Sequence, residues 1–129
     1  MPSFLSPLSK DLSAPKILVN KRTGGVVASR LIPAFDSAAR RVGLLRHASL
    51  PQGEAMIIAP CNAIHTFFMR FPIDVAFVAK DGRVLKTRAA VKPWRIAVSL
   101  RAHAVVELPA GALLDSPLAR GDRLEICDP

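Results

Sequence analysis

Hydrophobic and polar residues follow one another along this chain in short blocks that predict strands more often than helices. Apolar runs of strand length are KILVN (16–20), VVASRLI (26–32), MIIAP (56–60), IAVSL (96–100) and HAVVEL (103–108). The strongest local signal is VAFVAKDGRVLKT (75–87), in which two β-rich runs flank the hairpin-turn dipeptide Asp81-Gly82. The first two runs are separated by KRTGG, so they predict a second hairpin.

Two segments have the spacing of helices instead. In AFDSAARRVGLLRH (34–47), Phe35, Val42 and Leu45 recur at helical intervals, so we expect one longer helix near 34–47 that Gly43 weakens. PAGALLDSPLA (109–119) predicts a short helix near 110–119. The fold class is therefore α+β: a single compact, β-rich domain, either barrel-like or built on a bent antiparallel sheet.

Length and termini set the expected domain organisation. A chain of 129 residues suits one domain, and the Ser- and Pro-rich residues 1–15 predict a flexible N-terminal lead-in before a domain at 16–129. No apolar run approaches the roughly 20 residues of a transmembrane helix, and the N-terminus lacks the pattern of a signal peptide. We therefore expect a cytoplasmic protein without a transmembrane segment, in which Cys61 and Cys127 are free thiols.

The formal net charge of +8 is concentrated towards the N-terminus. Residues 1–50 contain eight Lys or Arg residues against Asp11 and Asp36, a net charge of +6. A basic surface attracts nucleic acid, anionic lipid or acidic proteins without choosing among them. Nucleic-acid binding is thus one hypothesis, but the chain has no Tyr and one Trp, and its sequence has no aromatic platform for sequence-specific RNA recognition.

The segment APCNAIHTFFMRFPIDVAF (59–77) places Cys61, His65, Met69 and Asp74 among apolar residues. If residues 61–71 are extended, both faces are largely apolar, and the strand is expected to be buried on both sides. Cys61 and His65 would then be about 13 Å apart, as would His65 and Met69. The three side chains could not bind one ion. A helix would bring them together as soft-metal ligands, but the phenylalanines and Pro72 favour a strand, so we predict no metal site.

Each polar residue of this segment has a structural and a functional interpretation. Cys61 and Met69 are expected to fill the core. His65 could accept or donate a structural hydrogen bond, or act as an acid or base in a cleft. Asp74 needs donors or its pKa will rise, and it could form an acid–base pair with His65. No nucleophile elbow, phosphate loop or zinc signature accompanies the pair, so no cofactor is predicted.

Several motifs resemble those of the DUF192 (UPF0127) family, a family of bacterial and archaeal domains. They are GLLRHASLPQGEAMII (43–58), IHTFFMRFPIDVAFVAKDGRV (64–84), KPW (92–94), VVELPAG (105–111) and RGDRLEI (120–126). The resemblance extends from about Lys16 to the end of the chain and implies a compact, β-rich domain with no established activity. The positions that match the family pattern are His65, Met69, Asp74, Glu107, Gly111, Gly121 and Asp122. In the last motif we expect Gly121 to adopt positive φ and Asp122 to accept from nearby amides.

Three functional hypotheses follow. The first is a small binding or accessory domain for a small molecule or a protein, because an apolar cluster with few polar groups is typical of ligand sites. Its candidate pocket residues are His65, Phe67, Met69, Asp74, Trp94 and Glu107. The second is an enzyme that uses His65 and Asp74 as an acid–base pair, and the third is a basic nucleic-acid-binding protein.

Overall fold

The computed structural model describes residues 3–10, 14–44 and 47–129. Of the residues that the structure describes, about 41% are strand and 11% are helix. The elements in chain order are α1 (Ser6–Lys10), β1 (Ile17–Asn20), β2 (Val26–Ala28), β3 (Arg30–Ala34), α2 (Ser37–Val42), β4 (Glu54–Ile58), β5 (Ala63–His65), β6 (Ile73–Val78), β7 (Val84–Val91), β8 (Ile96–Val98), β9 (Ala104–Pro109), α3 (Ala112–Asp115) and β10 (Leu124–Cys127).

A five-stranded sheet with the strand order β3-β4-β9-β6-β7 forms the centre of the domain. Strands β3 and β4 pair in parallel, whereas β9 pairs antiparallel with β4 on one side and with β6 on the other. The hairpin predicted around Asp81-Gly82 is confirmed as β6–β7, and Gly82 has a φ of 93°. A side chain at Gly82 would collide with the backbone of β10, so the position requires glycine.

Both faces of this central sheet are apolar. Along β9, Ala104, Val106 and Leu108 contribute to one hydrophobic core, and Val105 contributes to another on the opposite face. The first core is covered by α1 and by a three-stranded sheet with the order β10-β1-β2, in which the predicted β1–β2 hairpin is confirmed. Residues of α2 and of a two-stranded sheet formed by β5 and β8, here called the ribbon, contribute to the second core.

The α+β, β-rich class is confirmed. Of the two forms expected for it, the barrel-like alternative is wrong, because the strands of the described residues form three sheets that do not close on one another. The longer helix expected near 34–47 is also shorter than predicted, at Ser37–Val42. Asp36 caps its N-terminus, and Gly43, with a φ of 49°, ends it. Residues 45 and 46 of the predicted helix lie outside the described residues.

Two further sequence predictions need correction or refinement. The helix expected near 110–119 is confirmed in place but spans only Ala112–Asp115. The expected strand at 61–71 is wrong: β5 covers only Ala63–His65, and a turn follows in which the Met69 N–H donates to the Thr66 carbonyl over 3.2 Å. The predicted burial of both faces is wrong as well, since Ala63 and His65 are exposed.

The structure can be compared with the predictions made for the N-terminal segment, the two cysteines and membrane-spanning helices. Leu5 and Leu8 are buried in the first core, while the flexibility predicted for residues 1–15 stays a prediction, as does the domain boundary at residue 16. Cys61 and Cys127 are both free thiols, as expected. Across the described ranges, no helix has the length and apolar character needed to cross a membrane.

Asp74 links three elements from within the central sheet. Its side chain is 1% exposed, and its Oδ1 accepts from the Ala90 N–H over 2.8 Å. Its Oδ2 accepts from the N–H groups of Gly111 (3.1 Å) and Leu113 (2.9 Å), at the start of α3. Ala90 has a φ of 50°, so one of these bonds also fixes an unusual backbone conformation in β7. This geometry fits the structural interpretation of Asp74.

We expect Asp74→Ala to lower the free energy of unfolding by about 3 kcal/mol, because buried backbone donors would lose their acceptor. Urea unfolding of the variant and the wild type measures the difference. Asp74→Asn, which keeps one carbonyl acceptor, should lose less. Equal stability of Asp74→Ala and the wild type would contradict the anchoring role.

Candidate functional site

A cavity of about 170 Å³ lies on the second-core side of the central sheet. It is partly open to solvent, and its walls are formed by the end of α2, the segment after β4, the ribbon strand β5 and the centre of β9. The residues that line it are Arg40, Arg41, Val42, Gly43, Leu44, Ile58, Pro60, Cys61, Ala63, Ile64, His65, Met69 and Glu107. Its walls combine apolar side chains with the polar and charged groups of Arg40, Arg41, His65 and Glu107, and ligand sites likewise combine an apolar lining with a few polar groups.

Glu107 is the buried acid of this cavity. It lies on β9, opposite Met56 of β4 and Val75 of β6, and is therefore at the centre of the sheet. The residue is only 5% exposed, and its Oε2 atom has no hydrogen-bond partner among the described residues. Burying a carboxyl group without a partner is costly, since water would otherwise solvate both of its oxygens.

Burial raises the pKa of Glu107 to about 7, compared with an ordinary value of 4.5. The carboxyl group therefore changes charge close to neutral pH. As a carboxylate it can accept hydrogen bonds or pair with a cation, and as a neutral acid it can also donate. Strongly perturbed acids that line a cavity are frequent in functional sites.

The thiol of Cys61 lies in the same cavity but is not activated. Its Sγ donates to the Ala63 carbonyl over 3.1 Å. Burial raises the pKa of the Cys61 thiol, and the nearby Glu107 charge raises it further, although Arg40 acts in the opposite direction. Because the thiolate and not the thiol is the nucleophile, Cys61 is poorly suited to covalent catalysis at neutral pH.

His65 lies at the exposed edge of the cavity rather than in the core. Its ring stacks on Phe67 with a centroid distance of 5.0 Å, and Phe67 stacks on Trp94 at 5.7 Å. Of the predicted pocket residues, the structure thus brings His65, Met69 and Glu107 to the cavity, with Phe67 and Trp94 beside it.

Asp74 is not among the residues that line the cavity. The neighbours of Asp74 on β6, Ile73 and Val75, point into the second core, so Asp74 points to the opposite face of the sheet. Glu107 and Val105 share the second-core face because they are two residues apart on β9. With both Asp74 oxygens bonded to backbone amides, the geometry needed for a His65–Asp74 acid–base pair is missing.

The turn after β5 changes the arrangement expected for Cys61, His65 and Met69. An extended strand would separate them, whereas the turn folds Met69 inwards so that all three line one cavity. Within the part of the chain that the structure describes, no group of three or more His, Cys, Asp or Glu side chains could hold a metal ion.

Arg40 and Arg41 were not predicted as cavity residues from the sequence. Both lie in the last turn of α2, and both line the cavity. No spacing in the sequence relates them to Glu107, which lies more than sixty residues later. Only the packing of α2 over the central sheet reveals that basic groups and a buried acid belong to one cavity.

Residues 19–126 match the model of the family DUF192, described as "Uncharacterized ACR". The chain therefore belongs to the DUF192 family, as its motifs indicated. No curated protein matches its sequence significantly.

Two solved structures share the fold. One, from Sinorhizobium meliloti, carries the provisional description "transcription regulator"; it is 23% identical, with a TM-score of 0.75, and the match covers 85% of this chain and 90% of that chain. The other, from Novosphingobium aromaticivorans, is a protein of unknown function; it is 25% identical, with a TM-score of 0.73, and the match covers 86% of this chain and 83% of that chain.

The raised pKa of Glu107 predicts a specific pH dependence of stability. Below pH 4.5 both the folded and the unfolded chain hold this proton, and between 4.5 and about 7 only the folded chain does. The free energy of unfolding should therefore fall as pH rises through this range, by on the order of 3 kcal/mol, and stay low above it.

Glu107→Gln removes this titration and isolates its contribution from other groups. The variant should gain stability relative to the wild type as pH rises from about 4.5 to 7, as measured by urea unfolding at a series of pH values. A difference between the two proteins that stays constant over this range would show that Glu107 titrates normally.

Proposed function

We propose that this protein is a small-molecule-binding domain and that its ligand occupies the cavity lined by Glu107. The unpartnered Oε2 of Glu107 is the observation that carries the proposal. A ligand with an N–H or O–H group would give this oxygen the hydrogen bond that the protein does not supply.

The two other buried acids of the described residues, Asp74 and Asp122, have the hydrogen-bond partners that Glu107 lacks. Asp74 accepts three backbone hydrogen bonds. Asp122, which is 5% exposed, accepts from Asn20, Arg22 and the Ala119 N–H. The Arg22 guanidinium holds the pKa of Asp122 well below its usual range. The same chain thus satisfies two buried carboxylates fully and leaves Glu107 incompletely bonded beside a cavity.

The size and walls of the cavity define the class of ligand. An apolar cavity of roughly 150 Å³ can hold a molecule the size of benzene. At about 170 Å³, this cavity suits a small molecule with an apolar body that contacts Ile58, Ile64 and Met69. A hydrogen-bond donor would face Glu107, and an acceptor or anionic group would suit Arg40 and Arg41. We place this binding domain in the cytoplasm, a location that its two free cysteines support.

Three probes of similar size and different polarity test the proposal. We expect benzyl alcohol and benzylamine to bind the wild type more tightly than toluene, because only the first two can donate to Glu107. In Glu107→Gln the advantage of benzylamine should fall by about tenfold or more, as expected for loss of a hydrogen bond to a charged group. Two-dimensional NMR titrations measure both the affinities and the location of binding.

Glu125→Gln is the matched control, because Glu125 is an exposed glutamate on β10. It should leave all three affinities unchanged. Absence of binding by every probe at millimolar concentration would argue against a ligand cavity, and equal binding to the wild type and Glu107→Gln would remove Glu107 as its anchor.

Native mass spectrometry can identify the physiological ligand. Protein isolated from its own host without chelators should carry a small molecule of defined mass, and Glu107→Gln isolated in the same way should carry less of it. A wild-type protein that is consistently free of bound mass would contradict tight binding in the cell.

A further inference from the structure

An apolar stripe lies on the outer surface of the ribbon and its adjoining turns. We define it as Phe67, Phe68, Trp94, Ile96 and Val98. Phe68 is 71% exposed, Trp94 is 56% exposed and Ile96 is 63% exposed. Alternate residues of the ribbon, Ile64 and Ala97, point inwards to the second core. Contiguous exposed apolar surface of this kind marks a site that binds another protein or a membrane.

The stripe is continuous. Trp94 packs against Phe68 at a centroid distance of 4.6 Å and against Phe67 at 5.7 Å. Phe67 stacks in turn on His65, which lies directly opposite Ile96 in the ribbon. The exposed side chains therefore form one surface rather than separate apolar residues.

Two residues of the stripe, Phe68 and Trp94, have an unfavourable backbone conformation. Phe68 and Trp94 each have a φ of 67°, a region that bulky residues rarely adopt. Thr66 is fully buried and fixes both turns: its carbonyl accepts from the Trp94 N–H over 3.0 Å, and its Oγ1 donates to the Lys92 carbonyl over 2.6 Å. Such strain persists where surrounding structure imposes it, and it is common at functional sites.

The exposed charges that adjoin the stripe in the sequence are positive. Residues 66–101 contain eight Lys or Arg residues and two acids, Asp74 and Asp81. Asp74 is buried and bonded to backbone amides, and Asp81 lies in the β6–β7 turn, 3.5 Å from Arg123. Lys86 donates to the Val98 carbonyl, which places this cation beside the ribbon. Exposed cations that adjoin the stripe in the sequence are Arg70, Lys92 and Arg95.

We propose that the stripe binds the surface of an anionic membrane. Trp and Phe side chains would enter the interface between headgroups and acyl chains, where aromatic rings are favoured, and the flanking Lys and Arg would face lipid phosphates. A second copy of this chain fits less well, because its basic surroundings would repel their own duplicate. Single-stranded nucleic acid also fits less well, since Phe67 stacks on both sides and aliphatic side chains do not stack on bases.

Trp94 reports directly on this binding, because the chain has one Trp and no Tyr. We expect its fluorescence emission to shift to shorter wavelength with mixed phosphatidylglycerol and phosphatidylcholine vesicles, and the protein to sediment with them. Pure phosphatidylcholine vesicles should bind much less, and added salt should weaken binding to the anionic vesicles because it screens the basic residues.

Phe68 provides the decisive substitution. Phe68→Ala should reduce vesicle partitioning by about tenfold, as expected when one aromatic side chain no longer leaves water. Leu114→Ala is the matched control, because Leu114 is 85% exposed on α3, whose neighbouring residues pack on the first core. Phe68→Gly should also bind weakly while unfolding at an equal or higher temperature than the wild type, because glycine adopts positive φ without strain. Glu107→Gln should bind vesicles normally, which separates this site from the cavity.

Three results would overturn the proposal. The first is that the protein does not sediment with anionic vesicles at low salt. This result would overturn the proposal even if the stripe bound an acidic protein. The second is equal vesicle binding by Phe68→Ala and the wild type. The third is a Trp94 emission change that requires single-stranded oligonucleotide or self-association and does not occur with vesicles.

Discussion

The central sheet must be covered on both faces, and most features of this protein follow from that constraint. Strands β4, β9 and β6 carry apolar side chains on both sides, so neither face can be left to water. The three-stranded sheet and α1 cover one face, and Leu18 of β1 and Ile126 of β10 contribute to the core between them. The other face has a smaller cover, made of a six-residue helix, two three-residue strands and the connecting turns. A short α2 leaves room for a cavity above β9, where Glu107 is placed.

The three buried acids show how differently one fold can treat the same chemical group. Asp74 accepts from backbone N–H groups at the start of α3 and at Ala90, a strained position in β7. Both of its carboxyl oxygens are therefore bonded within the protein. Asp122 pairs with Arg22 and ties the last turn to the first hairpin. Glu107 has no comparable set of donors, and burial raises its pKa to about 7. A group that destabilises the folded state at neutral pH is more readily understood as part of a binding site than as part of the core.

Local patterns predicted those parts of the fold in which neighbouring residues decide the structure. The β6–β7 hairpin depends on Asp81-Gly82, and the last turn depends on Gly121, which has the expected positive φ, and Asp122, which accepts from the Ala119 N–H as expected. Prediction failed for residues 61–71, because the hydrogen bonds of Thr66 to the 92–95 turn override the strand propensity of the phenylalanines. Of the cavity residues, His65 and Met69 were found from the polar residues of the segment 59–77 and Glu107 from the family resemblance, whereas Arg40 and Arg41 were not predicted.

The sequence by itself determined the class of the domain, its hairpins, the positions of α2 and α3 and its membership of the DUF192 family, but not α1, which lies in the predicted lead-in. Each of these depends on residue periodicity, on turn residues or on motifs that lie close together in the chain. Only the tertiary structure decided that Asp74 is a structural anchor, that Glu107 lines a cavity with Arg40, and that Phe68 and Trp94 face solvent. These outcomes depend on which backbone amides and side chains approach a residue from distant parts of the chain, and sheet pairing sets those distances.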